Sequence, residues 1–205
     1  MVYPVSDLNK SLPFVVGRRP RIGLLGGSFN PAHIGHLHIS RLALKLLSLD
    51  ELWWLVSPQN PLKGTNDMAS VNERLLGARS LIKGRKIWPT NLESTFGTNY
   101  TIDTISTLKN KFPQARFVWL IGADNLSQIS SWKKWSSIFE TVPVAVFARP
   151  NYALQALNSI AAKRFSKQRI NQYQATALAD LKPPVWTYLK TPMSFISATS
   201  IRNSN

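Results

Sequence analysis

Ile22-Gly23-Leu24-Leu25-Gly26-Gly27-Ser28-Phe29-Asn30-Pro31-Ala32-His33-Ile34-Gly35-His36 is the stretch whose reading settles the fold. Ile22–Leu25 is a short apolar run. Gly26-Gly27-Ser28 breaks it. From Gly35 onward, Ile39, Leu42, Ala43, Leu46 and Leu47 recur at helical spacing. The pattern is strand, glycine-rich turn, helix. Glycines directly after a strand let the backbone approach a phosphate with no Cβ in the way. The helix start offers free N–H groups and a positive dipole end to an anion. All three histidines of the chain, His33, His36 and His38, fall in this stretch or just past it. His33 and His36 are two rigid donors placed to bond charge developing on a phosphoryl group. The plainer alternative is a tight turn with capping histidines. His38, two residues past His36, faces elsewhere and reads as helix surface. A zinc site would need cysteine or a nearby carboxylate, and this segment has neither.

Working outward, the pattern repeats. Glu51–Val56, Arg116–Ile121, Val142–Ala148 and Val185–Leu189 read as strands, and Val71–Lys83 and Thr101–Lys111 as helices. Residues 152–182 are polar, rich in Ala and Gln, and read as helical. Alternating strands and helices predict an α/β fold, a Rossmann-like doubly wound parallel sheet in a single domain. The domain is expected over 21–205, behind an extension over 1–20. Ligands of such sheets sit beyond the carboxyl ends of the strands, which singles out residues 26–36, 57–63, 122–128 and 149–150. Trp53 and Trp54 read as core. Glu73 and Arg74 read as a solvated or cap-pairing helix face.

Of 205 residues, 44% are apolar and 17% charged, as in a globular protein rather than a disordered one. The absence of cysteine excludes a disulfide scaffold, a thiolate metal site and a cysteine nucleophile. Lys and Arg number 25 against 10 Asp and Glu, and the net charge of +15 favours an anionic partner. The N-terminal apolar run, Leu12–Val16, is too short for a signal peptide, and its basic residues follow it rather than precede it. The longest apolar runs are strand-sized. The expectation is a cytoplasmic protein with no membrane partner.

A second signal lies near the carboxyl end, in Ile196-Ser197-Ala198-Thr199-Ser200-Ile201-Arg202. Small hydroxyls there can cap a helix or donate to phosphate, and Arg202 adds a fixed fork for phosphate oxygens. Together, Gly26–His36 and Ile196–Arg202 resemble the opening and closing motifs of the His-x-Gly-His nucleotidyltransferase superfamily. The nearest branch is the bacterial nicotinate-mononucleotide adenylyltransferases. The resemblance runs from about Arg21 to Arg202. Between the ends, Ser57–Lys63, Asn99–Thr104, Ile121–Leu126, Trp132–Trp135 and Phe147–Pro150 match the family in order.

The resemblance implies transfer of the adenylyl group of ATP to nicotinate mononucleotide, giving deamido-NAD and pyrophosphate without a covalent enzyme intermediate. It implies that His33 and His36 hold phosphoryl oxygens as the catalytic pair. ATP would be bound by Gly26, Gly27, Ser28, Phe29, Gly122, Asp124, Ser197, Thr199 and Arg202. The mononucleotide would be bound by Asn60, Lys63, Tyr100, Thr101 and Trp132, with Trp132 stacking on the ring. Mg²⁺ would be carried by the ATP phosphates, and no metal site is expected in the protein. Neither a specific nucleic-acid partner nor a particular oligomer is implied.

Two departures stand out. Asn30 occupies a position where the family has Asp, so a turn cap is kept and a negative charge is lost. The family continues through a helix beyond Arg202, so a chain ending at Asn205 is expected to truncate that helix. Three other readings stay open. His33-Ile34-Gly35-His36 is also a signature of class I aminoacyl-tRNA synthetases, although no Lys-Met-Ser-Lys-Ser segment follows. Acceptors related to nicotinate mononucleotide, such as nicotinamide mononucleotide or phosphopantetheine, define sister enzymes. Arg18–Arg21 and Lys163–Arg169 would suit a basic nucleic-acid-binding module, though no binding motif accompanies them.

Overall fold

A computed structural model describes residues 19–58 and 68–191. The first half runs β1 (Arg21–Gly27), α1 (Ile34–Leu46), β2 (Glu51–Val56), α2 (Val71–Leu81), β3 (Ile87–Thr90), α3 (Leu92–Phe96) and α4 (Thr101–Lys111). The second runs β4 (Arg116–Gly122), α5 (Ala123–Gln128), α6 (Trp135–Thr141), β5 (Val144–Phe147), α7 (Ala153–Leu157), α8 (Ile160–Arg164), β6 (Arg169–Ile170) and β7 (Trp186–Leu189), with 3₁₀ turns at Ile129–Ser131, Ser166–Gln168 and Gln172–Asp180.

The seven strands form one sheet in the order β3-β2-β1-β4-β5-β7-β6, and every pair is parallel. β2, β4, β5 and β7 bury side chains on both faces, as their continuous apolar runs require. Ile22, Leu24, Trp53, Phe117, Trp119, Val144 and Trp186 pack on one side, with Ile105 and Leu108 of α4, Leu126 of α5 and Phe139 of α6. Leu25, Leu52, Trp54, Val118, Leu120 and Ala145 pack on the other, with Leu37 and Ala43 of α1, Leu75 and Ala78 of α2 and Leu178 of the last 3₁₀ turn. Trp53 and Trp54 are both fully buried, on opposite faces. Complete burial of such side chains contributes roughly 2–3 kcal/mol each.

The chain winds one way from β1 to β3 and the other way from β4 onward, so the strand order reverses between β1 and β4. This switch point opens a crevice beyond the carboxyl ends of those strands. Gly27 and Gly122 close the two strands at that edge.

Residues 152–182 are helical as expected for most of their length, but in short pieces rather than one run. They form two five-residue helices, two 3₁₀ turns and the short strand β6. Polar and Ala-rich composition favours helix, but Asn158, Ser159 and Asn171 break the segment, two of them as N-caps. β3 also lay outside the sequence reading. It contains Pro89, which a sheet tolerates on an edge strand, and β3 is an edge.

Candidate active site

The turn after β1 is built from several packed parts. Phe29 adopts φ +48° and is almost wholly buried, stacked on Trp54 at 4.8 Å between centroids and against His36 at 4.7 Å. A left-handed aromatic residue costs on the order of 1 kcal/mol, which the stacking offsets. Its ring therefore packs against both His36 and Trp54 beneath the turn. The missing Cβ of Gly26 makes room for Trp119, whose ring would lie 2.8 Å from it. That glycine serves packing beneath the turn. Asn30 Oδ1 accepts from the Ala69 N–H at 3.4 Å, a bond that ties the turn to the segment leading into α2.

His33 is the N-cap of α1. Its Nδ1 accepts from the Gly35 N–H at 3.1 Å, and His36 Nδ1 accepts from the His33 N–H at 3.2 Å. The two rings lie 3.9 Å apart. With both Nδ1 atoms acting as acceptors, each neutral ring must carry its proton on Nε2. Burial, with the charge of Arg149 as a smaller cause, lowers His33 to about 4. Burial, then His33, then Arg149 lowers His36 to about 3. Both are therefore neutral near pH 7, and each offers one Nε2–H donor. Behind them, Ser40 Oγ donates to the His36 carbonyl at 2.7 Å and accepts from Trp54 Nε1 at 2.8 Å, which fixes the first turn of α1. His38 is half-buried further along the helix.

At the end of β4, Asp124 lies in the first turn of α5 and faces Arg149, with Arg149 Nε 3.2 Å from Asp124 Oδ1. A Cβ at Gly122 would lie 2.9 Å from Arg149 Nε and would run into the Asp124 carboxylate. Gly122 is thus the floor on which the ion pair rests. Arg149, just past β5, is close enough to both histidines to lower their affinity for a proton. It was not singled out as a site residue from sequence. The available signal was a lone cation at the carboxyl end of a central strand, in the turn at residues 149–150.

A further cluster lies at the start of α4. Tyr100 is its N-cap and Thr101 its first residue. Lys133 Nζ sits 4.0 Å above the Tyr100 ring and 3.2 Å from Asp103 Oδ2. Trp132 is half-buried in the connection before α6 and packs on the core, as Trp135 does. Nearby, Glu93 is buried, and burial pushes its carboxyl above the usual range while hydrogen bonds from Ser57 and Thr104 pull it back.

Arg74 corrects the expectation of a solvated face. It is only 4% exposed and donates to the carbonyls of Ser28, Ser57, Pro58 and Ala69. Glu73 does act as a capping partner, accepting from the Ser70 N–H and hydroxyl at 2.8 Å each. Asn60, Lys63, Ser197, Thr199 and Arg202, and the extension before Arg19, lie outside the described residues. Among the described residues, no group of three or more His, Asp or Glu could hold a metal ion. No described helix is long and apolar enough to cross a membrane.

This arrangement of neutral donors and a helix N-terminus at a switch point suits a phosphorylated ligand. A cytidylyltransferase-like family model matches residues 24–204. A protein of Parvibaculum lavamentivorans named "Probable nicotinate-nucleotide adenylyltransferase" is 48% identical over 182 residues, 89% of this chain and 90% of its own. A protein of the same name from Gluconobacter oxydans is 47% identical over 184 residues, covering 90% and 94%.

The chain belongs to the nicotinate-nucleotide adenylyltransferase family.

The fold of that family is shared more widely. The nicotinic acid mononucleotide adenylyltransferase of Plasmodium falciparum, solved in complex with NaAD, superposes with a TM-score of 0.68 at 19% identity, covering 90% of this chain and 83% of its own. At that identity the likeness speaks for the Rossmann-like architecture.

Proposed function

We propose that this chain transfers the adenylyl group of ATP to nicotinate mononucleotide, forming deamido-NAD and releasing pyrophosphate. The observation that carries the reading is the His33–His36 pair at the start of α1, with both rings neutral and both Nε2–H groups left to donate. A phosphate oxygen of the mononucleotide attacks the α-phosphorus of ATP. The bond from that phosphorus to the bridging oxygen breaks, and pyrophosphate leaves with the electron pair. Such a displacement needs positioning and charge stabilisation, not an enzyme nucleophile.

In this reading His33 and His36 donate to the α-phosphoryl oxygens as charge builds on them, and the N-terminus of α1 adds its dipole. Arg149 supplies a full positive charge beside them. The backbone of Gly26, Gly27, Ser28 and Phe29 lines the nucleotide. Asp124 accepts from a ribose hydroxyl above Gly122, and Ser197, Thr199 and Arg202 hold the remaining phosphates. Asn60 and Lys63 face the mononucleotide phosphate, and Tyr100, Thr101 and Trp132 hold its ring.

The donor set fits a metal carried on the substrate. The histidines spend Nδ1 on backbone N–H groups, and Asp124 is paired with Arg149, so Mg²⁺ would be held by the ATP phosphates. When bound it supplies charge neutralisation of the triphosphate. A single domain over residues 21–205, working in the cytoplasm where ATP is the cosubstrate, belongs to the same reading.

The test is pyrophosphate release from Mg-ATP with nicotinate mononucleotide, nicotinamide mononucleotide, phosphopantetheine or no acceptor. Release should be fastest with the nicotinate acceptor. Equal rates with all four, or a preference for phosphopantetheine, would reject the assignment.

A further inference from the structure

We propose that Arg74 is a positioning residue for the reaction, setting the distance between the loop after β1 and the loop after β2. The inference rests on the function proposed above, which places ATP on the first loop and the mononucleotide on the second.

Arg74 lies in the first turn of α2 and is buried, yet among the described residues no carboxylate pairs with it. Its donors go to backbone carbonyls instead. Nη1 donates to Ser28 O at 2.6 Å and to Ser57 O at 2.8 Å. Nη2 donates to Pro58 O at 3.2 Å, and Nε to Ala69 O at 2.8 Å. Ser28 follows β1, Ser57 and Pro58 follow β2, and Ala69 leads into α2, so a single planar group ties three separate segments. The Ser57 N–H also donates to Gly27 O at 3.0 Å, where the β1–β2 pairing ends.

The geometry explains why arginine stands here. A guanidinium holds its N–H groups in a rigid fork, so bonding to Ser28 and Ser57 at once fixes the distance between them. A lysine ammonium carries the same charge on a flexible stem and cannot reach carbonyls from two loops in one fixed geometry. The arrangement also differs from a structural salt bridge, since among the described residues no carboxylate pairs with the guanidinium. Four carbonyls, from the loops after β1 and β2 and from the segment leading into α2, hold it in place.

A change in loop spacing acts on the alignment of two bound substrates more than on the affinity for either. Misplacement by about 1 Å can cost roughly 10²-fold in rate. The test compares the wild type with Arg74→Lys and Arg74→Ala for kcat, for both KM values, for binding of ATP alone by equilibrium dialysis, and for thermal unfolding. Arg74→Lys should lose about 10²-fold in kcat while binding of ATP alone stays near the wild-type value. Added methylguanidinium should restore part of the kcat of Arg74→Ala and leave the wild type unaffected.

A lower melting temperature with kcat and both KM values unchanged would make Arg74 a stabilising residue only and overturn the inference. So would failure of both variants to fold at the assay temperature, because the fold rather than the reaction would then require the guanidinium. Wild-type silence with nicotinate mononucleotide would overturn the function itself, and it is seen before any variant is compared.

Discussion

At His33 and His36 the backbone decides which ring nitrogen carries the proton. Each Nδ1 is held by an N–H of the same turn, so each Nε2 is left to donate. His36→Ala should keep the circular dichroism of the wild type and lose about 10²–10³-fold in kcat, as removal of one transition-state donor does. An unchanged kcat would remove the ring from the mechanism. The same pair makes a prediction about stability. Both histidines bind a proton more weakly when folded, at about 4 and about 3 against an ordinary 6.5. Between those limits the unfolded chain binds more protons, so stability present above pH 6.5 is lost as the pH falls toward 4 and 3. Denaturant unfolding across that range should show a slope that is reduced in a His33→Gln/His36→Gln variant. An equal slope in both chains would show that the two rings are not buried as neutral groups.

At the scale of elements, the strand ends bring Gly122, Asp124 and Arg149 together. Gly122 closes β4 with no room for a Cβ, because Asp124 and Arg149 meet above it. Gly122→Ala should displace that ion pair and raise KM for ATP about tenfold, the size expected from the loss of one interaction with a charged group. KM for the mononucleotide should change little, and an unaltered KM for ATP would place ATP elsewhere. The glycine-rich turn, α1 and the central strands were legible in the sequence because their apolar runs and periodicities are strong. α4 was read at Thr101–Lys111 and is found there. The weaker elements were not legible. β3 carries a proline at an edge, and β6 has only two residues, too few to show a period. Arg74 was misread because a charged residue on a helix next to Glu73 reads as surface, and nothing local reveals that two distant loops bring carbonyls to it. The stacking of the Phe29 ring on Trp54 was not legible, because it depends on a residue 25 positions later.

At the scale of the molecule, the sheet is tied together at the opposite edge from the crevice. Asp180, at the end of the last 3₁₀ turn, accepts from Arg21 of β1 and Arg116 of β4. One carboxylate thus joins the two strands that flank the switch point to the segment covering one sheet face. All three side chains are partly exposed, so solvent screens the pairing. Asp180→Asn should cost about 1 kcal/mol, a fall of roughly 2–4 °C in Tm, with kcat unchanged. A fall in kcat instead would show that the far edge is coupled to the site. Doubly wound topology was legible from the alternation of strands and helices, and with it the position of the crevice. The net charge of +15 pointed only to an anionic partner. The strand ends and the histidine pair suit a phosphorylated small molecule, which is the ligand class of the function proposed above.

The measurement that bears most directly on the central claim follows ATP labelled at the α-phosphate in the presence of nicotinate mononucleotide. The label should pass into deamido-NAD, with one pyrophosphate released for each label transferred and none without acceptor. Label appearing in AMP at the same rate with and without the mononucleotide would mean hydrolysis rather than transfer, and would contradict the account.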